Sequence, residues 1–195
     1  MDKAEKKIKT YLDEIRKWNR RINLVSSGDL EKLYERHYLD SLVLAEHVPA
    51  GARLLDLGSG NGFPSIPIAV HRPDVLITAL EIRKKKVFFL ENVKRKLGLE
   101  NYAILNMDID SNPPSMESAF DAITARAYKD LTTVLGKARH YGRNGATVYY
   151  YNALSNKELR DTEKPKVEVI HNVNKIVYKL KTGETGEILL VEIRK

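Results

Sequence analysis

The stretch Leu54-Leu55-Asp56-Leu57-Gly58-Ser59-Gly60-Asn61-Gly62-Phe63-Pro64 decides the fold of this chain. Its apolar first residues predict a buried strand, its evenly spaced glycines predict a tight turn, and Pro64 suits the first turn of a following helix. Because glycine has no Cβ, the backbone of such a turn can approach a ligand closely. The stretch therefore predicts a nucleotide-cofactor loop, although the glycines alone would also suit an ordinary tight loop of an α/β protein.

The spacing of the glycines and two acids indicate which cofactor the loop would take. The loop follows the pattern D-x-G-x-G-x-G, whereas the dinucleotide fingerprint is G-x-G-x-x-G. Asp56 would repel a pyrophosphate, but a carboxylate suits the sulfonium and ammonium groups of S-adenosylmethionine. Glu81 ends the apolar run 75–80, nineteen residues beyond Gly62, where an acid accepts hydrogen bonds from ribose hydroxyls. Together these features predict an S-adenosylmethionine site.

The composition limits the class of protein. A chain of 195 residues is long enough for one α/β domain with a small extension. It has no cysteine, which excludes disulfides, thiolate nucleophiles and cysteine-ligated zinc, and its five scattered histidines do not predict a metal site. The net charge of +7 suits a polyanionic partner or serves solubility alone. No apolar run approaches the ~20 residues of a membrane span, and the first residues lack the apolar core of a signal peptide, so we expect a cytoplasmic protein without a membrane segment.

The first 50 residues predict a helical extension. An amphipathic helix is expected over residues 3–21, because apolar side chains recur three and four positions apart. Residues 1–21 also hold eight Lys and Arg against four acids, so the opposite face could contact RNA phosphates, lie on a membrane surface or be solvated. One or two further helices are expected over residues 30–47. This basic extension (1–50) would precede the cofactor-binding domain (51–195).

From residue 52 onward the pattern is that of an α/β protein. Strands are expected at 52–57, 75–81, 102–106, 120–125 and 145–151, with helices at 63–71, 84–97 and 129–139. Right-handed crossovers between such units produce a doubly wound parallel sheet. Residues 167–180 and 188–193 predict a terminal antiparallel pair around a turn at 182–186. Together these elements predict a seven-stranded, Rossmann-like sheet like that of S-adenosylmethionine-dependent methyltransferases.

Charged residues at the ends of predicted strands are candidates for ligand contacts. Arg126 follows the fourth strand, on the side where open α/β sheets bind ligands, and its guanidinium could grip a phosphate or a guanine edge, or pair with a loop acid. Asp108 follows the third strand, where methyltransferases often bind the adenine amino group; an exposed loop acid is the alternative. The run Arg83, Lys84, Lys85 and Lys86 opens a helix, where the dipole disfavours cations, so it indicates an external anion or a solvated surface.

Several segments in the same order carry a resemblance to a known family: Trp18-Asn19, Ile22-Asn23-Leu24, Arg36-His37-Tyr38-Leu39-Asp40-Ser41-Leu42, the loop 56–67, Lys85-Lys86-Val87-Phe88-Phe89-Leu90 and Arg126-Ala127. With these segments the chain resembles the family once called glucose-inhibited division protein B. Its members are bacterial methyltransferases that form 7-methylguanosine at position 527 of 16S rRNA, near the decoding site. The chain departs from the family pattern at Asn61, Ser65 and Ile82, and most of all at Tyr151-Asn152, where Lys-Gly is usual.

The resemblance implies a set of roles. The cofactor would be S-adenosylmethionine, with S-adenosylhomocysteine as product, and the partner would be 16S rRNA in the small ribosomal subunit, bound by a monomer. The implied cofactor-binding residues are Asp56, Gly58, Ser59, Gly60, Gly62, Phe63, Glu81 and Asp108. The implied substrate-binding residues are Arg36, His37, Arg83, Lys84, Lys85, Lys86 and Arg126, of which Arg126 would be the catalytic one.

The chemistry of guanine explains why no general base stands out. N7 carries a free lone pair at neutral pH, so methyl transfer to it needs alignment and no proton removal. Two alternatives stay open from the sequence. One is a methyltransferase of a small molecule or a protein, and the other is an RNA-associated ribosome-assembly factor that binds the cofactor without catalysis.

Overall fold

The computed structural model describes residues 2–127, 129–151, 170–179 and 185–194. Within these ranges the helices are α1 (Lys3–Asn19), α2 (Ser27–Leu30), α3 (Leu39–His47), α4 (Ser65–His71), α5 (Lys84–Leu97) and α6 (Leu131–Tyr141), with a π-helix at Leu33–Tyr38 and 3-10 helices at Ile109–Ser111 and Pro114–Met116. The strands are β1 (Arg53–Leu57), β2 (Leu76–Leu80), β3 (Tyr102–Leu105), β4 (Phe120–Arg126), β5 (Gly142–Tyr151), β6 (Ile170–Lys179) and β7 (Thr185–Ile193). None of the described helices is long and apolar enough to cross a bilayer.

The strands form one sheet in the order β3-β2-β1-β4-β5-β7-β6. Strands β1 to β5 are parallel, whereas β7 is antiparallel to both β5 and β6. This topology confirms the predicted doubly wound, seven-stranded, Rossmann-like sheet. The winding reverses between β1 and β4, and ligands of such sheets bind at the carboxyl edge beside the reversal. Leu57 pairs with Ala125 at that edge, so Gly58 and Arg126 lie next to each other.

Strand β1 is an interior strand of the sheet, and both of its faces are covered. Leu54 packs in a cluster with apolar residues of α1, α4 and α5, whereas Leu55 and Leu57 pack in a second cluster with residues of α6. Successive side chains of a strand point to opposite faces, so one apolar run supplies both cores. The helical extension therefore shares the core of the sheet on one of its faces.

Side-chain hydrogen bonds to the backbone fix both ends of helix α1. Asp2 accepts a hydrogen bond from the Glu5 N–H, and Glu5 accepts one from the Asp2 N–H. The helix ends at Asn19, two residues before the predicted end, because the Asn19 side chain accepts hydrogen bonds from the N–H groups of Leu24 (2.7 Å) and Val25 (3.0 Å). These bonds turn the chain back over the helix end.

The terminal antiparallel pair is confirmed, but the predicted turn at 182–186 is too long. Thr185 and Gly186 belong to β7, where they pair with Lys179 and Tyr178. A Cβ at position 186 would lie 2.2 Å from the Tyr178 ring, so glycine is the residue that lets this ring pack over the strand. The predicted strand residues 167–169 and Asn152 lie outside the described residues.

Candidate active site

The loop after β1 contains three glycines in the left-handed region of φ: Gly58 (71°), Gly60 (56°) and Gly62 (91°). The Ser59 N–H donates to the Leu80 carbonyl (2.9 Å), which ties the loop to the end of β2. A Cβ at Gly62 would lie 2.4 Å from Ile66 Cδ1, so this glycine allows the loop to pack on α4. A Cβ at Gly60 would meet no protein atom closer than 3.5 Å. Gly60 therefore keeps its backbone accessible to a ligand, and Gly62 serves packing.

Glu81, directly after β2, holds the loop from the neighbouring strand. Its carboxylate accepts hydrogen bonds from the N–H groups of Gly60 (2.9 Å) and Arg83 (2.8 Å), and the residue is 5% exposed. Lys86 reaches the same place, since its Nζ would lie 3.5 Å from a Cβ at Gly60, and burial lowers its pKa. The predicted basic run is thus divided. Lys86 lies half-buried at the loop, whereas Arg83 and its two following lysines are exposed.

Asp56 lies in β1, beneath the loop, and is 1% exposed. Its Oδ2 accepts a hydrogen bond from the Ser65 hydroxyl (2.5 Å), which also lies 3.0 Å from the Tyr102 hydroxyl. Burial raises the pKa of Asp56 to about 6. The carboxylate therefore braces the base of the loop from inside, and its expected contact with a cofactor stays a prediction.

Three other expected cofactor residues have visible structural roles. The buried Ser59 hydroxyl donates to the Asp56 carbonyl (3.2 Å). Phe63 is 3% exposed, with its ring centroid 5.0 Å from that of Tyr11 and 5.3 Å from that of His37. Asp108 is exposed and caps the 3-10 helix after β3 by accepting from the Asp110 N–H (2.9 Å). Whether they also touch a cofactor stays a prediction.

The helical extension contacts the loop directly, which sequence reasoning missed. The Tyr11 hydroxyl of α1 donates to the Asn61 carbonyl (2.8 Å), and the Asn61 side-chain amide donates to the Leu24 carbonyl (3.2 Å). Tyr11 belongs to the apolar face of the amphipathic pattern, and that pattern predicts burial without naming a partner. The loop is consequently held between the extension and the sheet.

The π-helix at 33–38 carries two of the expected substrate-binding residues. Arg36 Nη1 donates to Asp29 (2.8 Å), and its side chain is 39% exposed. His37 stacks on Phe63, and its Nε2 lies 3.6 Å from Asp29 Oδ1, which is beyond hydrogen-bond distance. Burial, together with the nearby Arg126, lowers the pKa of His37 to about 4, so the imidazole is neutral at pH 7. Single π-helical turns are often found at functional sites.

Arg126 ends β4 and is held by two residues from distant parts of the chain. Its Nη2 lies 2.6 Å from Asp40 Oδ2 of α3, and its Cζ lies 5.0 Å from the Tyr151 ring centroid. Burial raises the pKa of Asp40 to about 6, and the Arg126 charge opposes that rise. In the described part of the chain, the buried Arg126 Nη1 and His37 Nε2 have no hydrogen-bond partner. Buried polar atoms normally have one, so these two atoms make this corner a candidate site for a ligand.

Arg126 therefore forms a salt bridge, which the sequence left open as an alternative, but its partner is an acid of helix α3 and not of a loop. The Nη1 group of Arg126 still has no acceptor among the described residues. Asp40 follows Arg36 and His37 by four and three residues, a spacing that places the three on one side of a helix but does not indicate Arg126 as the partner of Asp40. The described residues contain no group of three or more acids and histidines that could hold a metal.

Comparison with known proteins shows which family the chain is similar to. The model of the GidB family, described as rRNA small subunit methyltransferase G, matches residues 4–188. Curated proteins named ribosomal RNA small subunit methyltransferase G are similar to the chain. The one from Chromobacterium violaceum is 38% identical over 133 residues, which cover 68% of this chain and 63% of that protein. The one from Syntrophotalea carbinolica is 40% identical over 129 residues, which cover 66% and 59%. The chain thus spans about three fifths of the length of these relatives.

Solved structures share the fold at lower sequence identity. An O-methyltransferase from Bacillus cereus, solved in complex with SAH, superposes with a TM-score of 0.64 at 18% identity and covers 94% of this chain and 90% of that one. At this identity the similarity shows the fold alone.

Proposed function

The chain belongs to the GidB family of rRNA small subunit methyltransferase G, and from this membership we propose that it transfers a methyl group from S-adenosylmethionine to N7 of a guanine in 16S rRNA. The observation that carries the proposal is the meeting of the glycine loop, Glu81 and Arg126 at one edge of the sheet. The nucleotide would be the one at position 527, as the family resemblance implies. An rRNA substrate would also locate the protein in the cytoplasm.

The loop residues fit the cofactor on two observations. No protein atom lies closer than 3.5 Å to the place where a Cβ at Gly60 would stand. The carboxylate of Glu81 lies beside the Gly60 backbone and accepts its N–H. When bound, S-adenosylmethionine supplies an electrophilic methyl group on a sulfonium. We expect it to be held by Asp56, Gly58, Ser59, Gly60, Gly62, Phe63, Glu81 and Asp108, with the buried Asp56 and Phe63 acting through the shape of the loop.

On the substrate side, we propose that Arg126 orients the guanine. Its Nη1 N–H has no partner among the described residues, and a guanine O6 or a phosphate oxygen would satisfy it. Asp40 fixes the position of the guanidinium and offsets its charge. The offset reduces the repulsion between Arg126 and a base that gains positive charge during the transfer. Alignment of this kind is worth about 7–11 kcal/mol. The lowered pKa of His37, about 4, makes its imidazole a weak base, which is consistent with a reaction that needs no general base.

The expected RNA contacts are Arg36, His37, Arg83, Lys84, Lys85, Lys86 and Arg126, of which Arg83, Lys84 and Lys85 are exposed cations. Cations contribute through phosphate contacts and the release of counterions, so this part of the affinity depends on salt. We expect the protein to act as a monomer.

The experiment that tests the proposal is mapping of methylated nucleotides after incubation of the purified protein with labelled S-adenosylmethionine. Naked 16S rRNA and small subunits lacking the modification are compared as substrates. The expected result is one 7-methylguanosine. Cofactor binding without incorporation into either substrate would favour the assembly factor, and label in a small molecule or a protein would favour a different methyltransferase.

A further inference from the structure

A groove between α1 and α5 shares only Lys85 with the site residues discussed above. It has a volume of about 500 Å³, and its apolar lining comes from Trp18, Ile22 and Phe88. Phe88 is 69% exposed, the highest value among the large apolar side chains of the described residues. An aromatic ring left open to solvent beside a groove stabilises nothing in the core. An exposed ring that lines a groove with other apolar side chains is a candidate contact for a ligand.

The charge around the groove identifies the kind of partner. Arg21, Lys85 and Arg95 also line it, against a single acid, Glu91. A second copy of the chain would bring two positive surfaces together, which disfavours a contact between copies. Aromatic faces combined with cations are the combination by which proteins bind single-stranded nucleic acid, because bases stack on the rings and phosphates pair with the cations.

We propose that this groove, hereafter the α1–α5 groove, binds an unpaired segment of the RNA substrate, with a base stacked on Phe88 or Trp18 and phosphates at Arg21, Lys85 and Arg95. The inference rests on the proposed function for the identity of the RNA. It adds a binding site for nucleotides that flank the methylated one.

The position of the groove fits this role. Helix α5 begins at Lys84, three residues after Glu81, so the groove starts near the carboxyl edge of the sheet and runs away from it. From Lys85 to Arg95 the helix extends about 15 Å. Successive nucleotides of a stacked strand rise ~3.4 Å along its axis, so this length accommodates roughly four nucleotides. A strand whose target base lies at Arg126 can therefore continue along α5.

Trp18 is the only tryptophan of the chain, so its fluorescence reports on the groove without labelling. A short single-stranded RNA oligonucleotide with the sequence around the target guanine is titrated into the protein, and a duplex of the same length is titrated in parallel. We expect saturable quenching by the single strand and weaker binding of the duplex, whose bases cannot stack on a ring.

Substitutions then separate stacking from simple apolar contact. Phe88→Leu should weaken oligonucleotide binding at least about fivefold, the lower end for one stacked base, whereas Phe88→Tyr should stay within about twofold. Arg95→Ala should reduce the slope of log K against log salt by about 0.7, the value for one phosphate contact on a single strand. Leu76→Ala and Arg139→Ala are the matched controls. Leu76 is 56% exposed at the start of β2, and Arg139 is exposed near the end of α6, both at the opposite edge of the sheet.

The outcomes distinguish this inference from the proposed function. RNA binding that leaves Trp18 fluorescence unchanged and is equal in wild type and Phe88→Leu would overturn the groove, even if the wild type methylates rRNA. A change of oligomeric state in Phe88→Leu without a change in RNA affinity would also overturn it, since the face would then join two copies. Quenching that depends on Phe88 in a protein that does not methylate rRNA would support the groove and contradict the proposed function. Calorimetry with S-adenosylmethionine should give equal affinity for all variants.

Discussion

Replacement of Gly60 by alanine should weaken the cofactor far more than it weakens the fold. A Cβ at Gly60 would meet Lys86 Nζ at 3.5 Å, the Gly58 carbonyl at 3.6 Å and Glu81 Oε2 at 4.0 Å, all ordinary contacts. The remaining cost is that of an L-residue at φ +56°, about 1–2 kcal/mol. For a chain of this size, that cost lowers Tm by about 2–8 °C. The new methyl group stands where the backbone would approach the cofactor, so we expect the affinity for S-adenosylmethionine to fall at least about tenfold, or 1.4 kcal/mol.

Gly62→Ala provides the contrast. Its Cβ would lie 2.4 Å from Ile66 Cδ1 and 3.2 Å from Leu90 Cδ2, and neither side chain has exposed surface into which it could move. Overpacking of about 1–3 kcal/mol adds to the conformational cost, for a total of about 2–5 kcal/mol. Gly136→Ala in α6 is the control, because a Cβ there meets nothing within 4 Å and should raise the stability by about 1 kcal/mol.

Calorimetric titration with S-adenosylmethionine and thermal unfolding of the three variants check these values. If Gly60→Ala binds S-adenosylmethionine with wild-type affinity, the loop does not lie against the cofactor. If Glu81→Ala also binds it with unchanged affinity, the assignment of this cofactor site is wrong. A Gly62→Ala protein as stable as Gly60→Ala would refute the packing estimate.

Four further predictions concern charged residues. Arg126→Ala should slow single-turnover methylation of rRNA by about 10²-fold or more with S-adenosylmethionine still bound, and Arg126→Lys should recover little, because an ammonium lacks the guanidinium fork. Asp40→Asn should also slow the reaction. Because Asp40 acts through Arg126, the double variant Asp40→Asn/Arg126→Ala should be no slower than Arg126→Ala alone, and additive losses of rate would contradict this role. Replacement of the exposed Lys84 and Lys85 by alanine should lower the RNA affinity and its salt dependence and leave the cofactor affinity unchanged. A salt slope equal to that of the wild type would show that these lysines are solvated and do not contact RNA. Burial raises the pKa of Asp56 to about 6, so the folded protein holds a proton there between about pH 4 and 6 that the unfolded chain has released. The free energy of unfolding should therefore fall by about 3 kcal/mol from this group as the pH rises through that window, and urea unfolding should show that Asp56→Asn lacks this component.

The sequence by itself determined the fold and the location of the glycine loop. The apolar runs, the glycine spacing after β1 and the acid after β2 are local signals, because strand burial and a turn with positive φ impose their requirements on adjacent residues. The order of strands and helices then leaves few topologies, since crossovers between parallel strands are right-handed. For these reasons the doubly wound sheet and the loop at its carboxyl edge could be predicted.

Only the tertiary structure decided which residues meet at that edge. Tyr11 contacts a loop residue 50 positions away, and Arg126 pairs with Asp40 of the helical extension. The basic run at the start of α5 is divided, with Lys86 at the loop and Lys85 beside the α1–α5 groove. Spacing along the chain describes one helix or strand at a time, whereas these contacts depend on how separate elements pack. Packing is set by the shape and burial of all their side chains together.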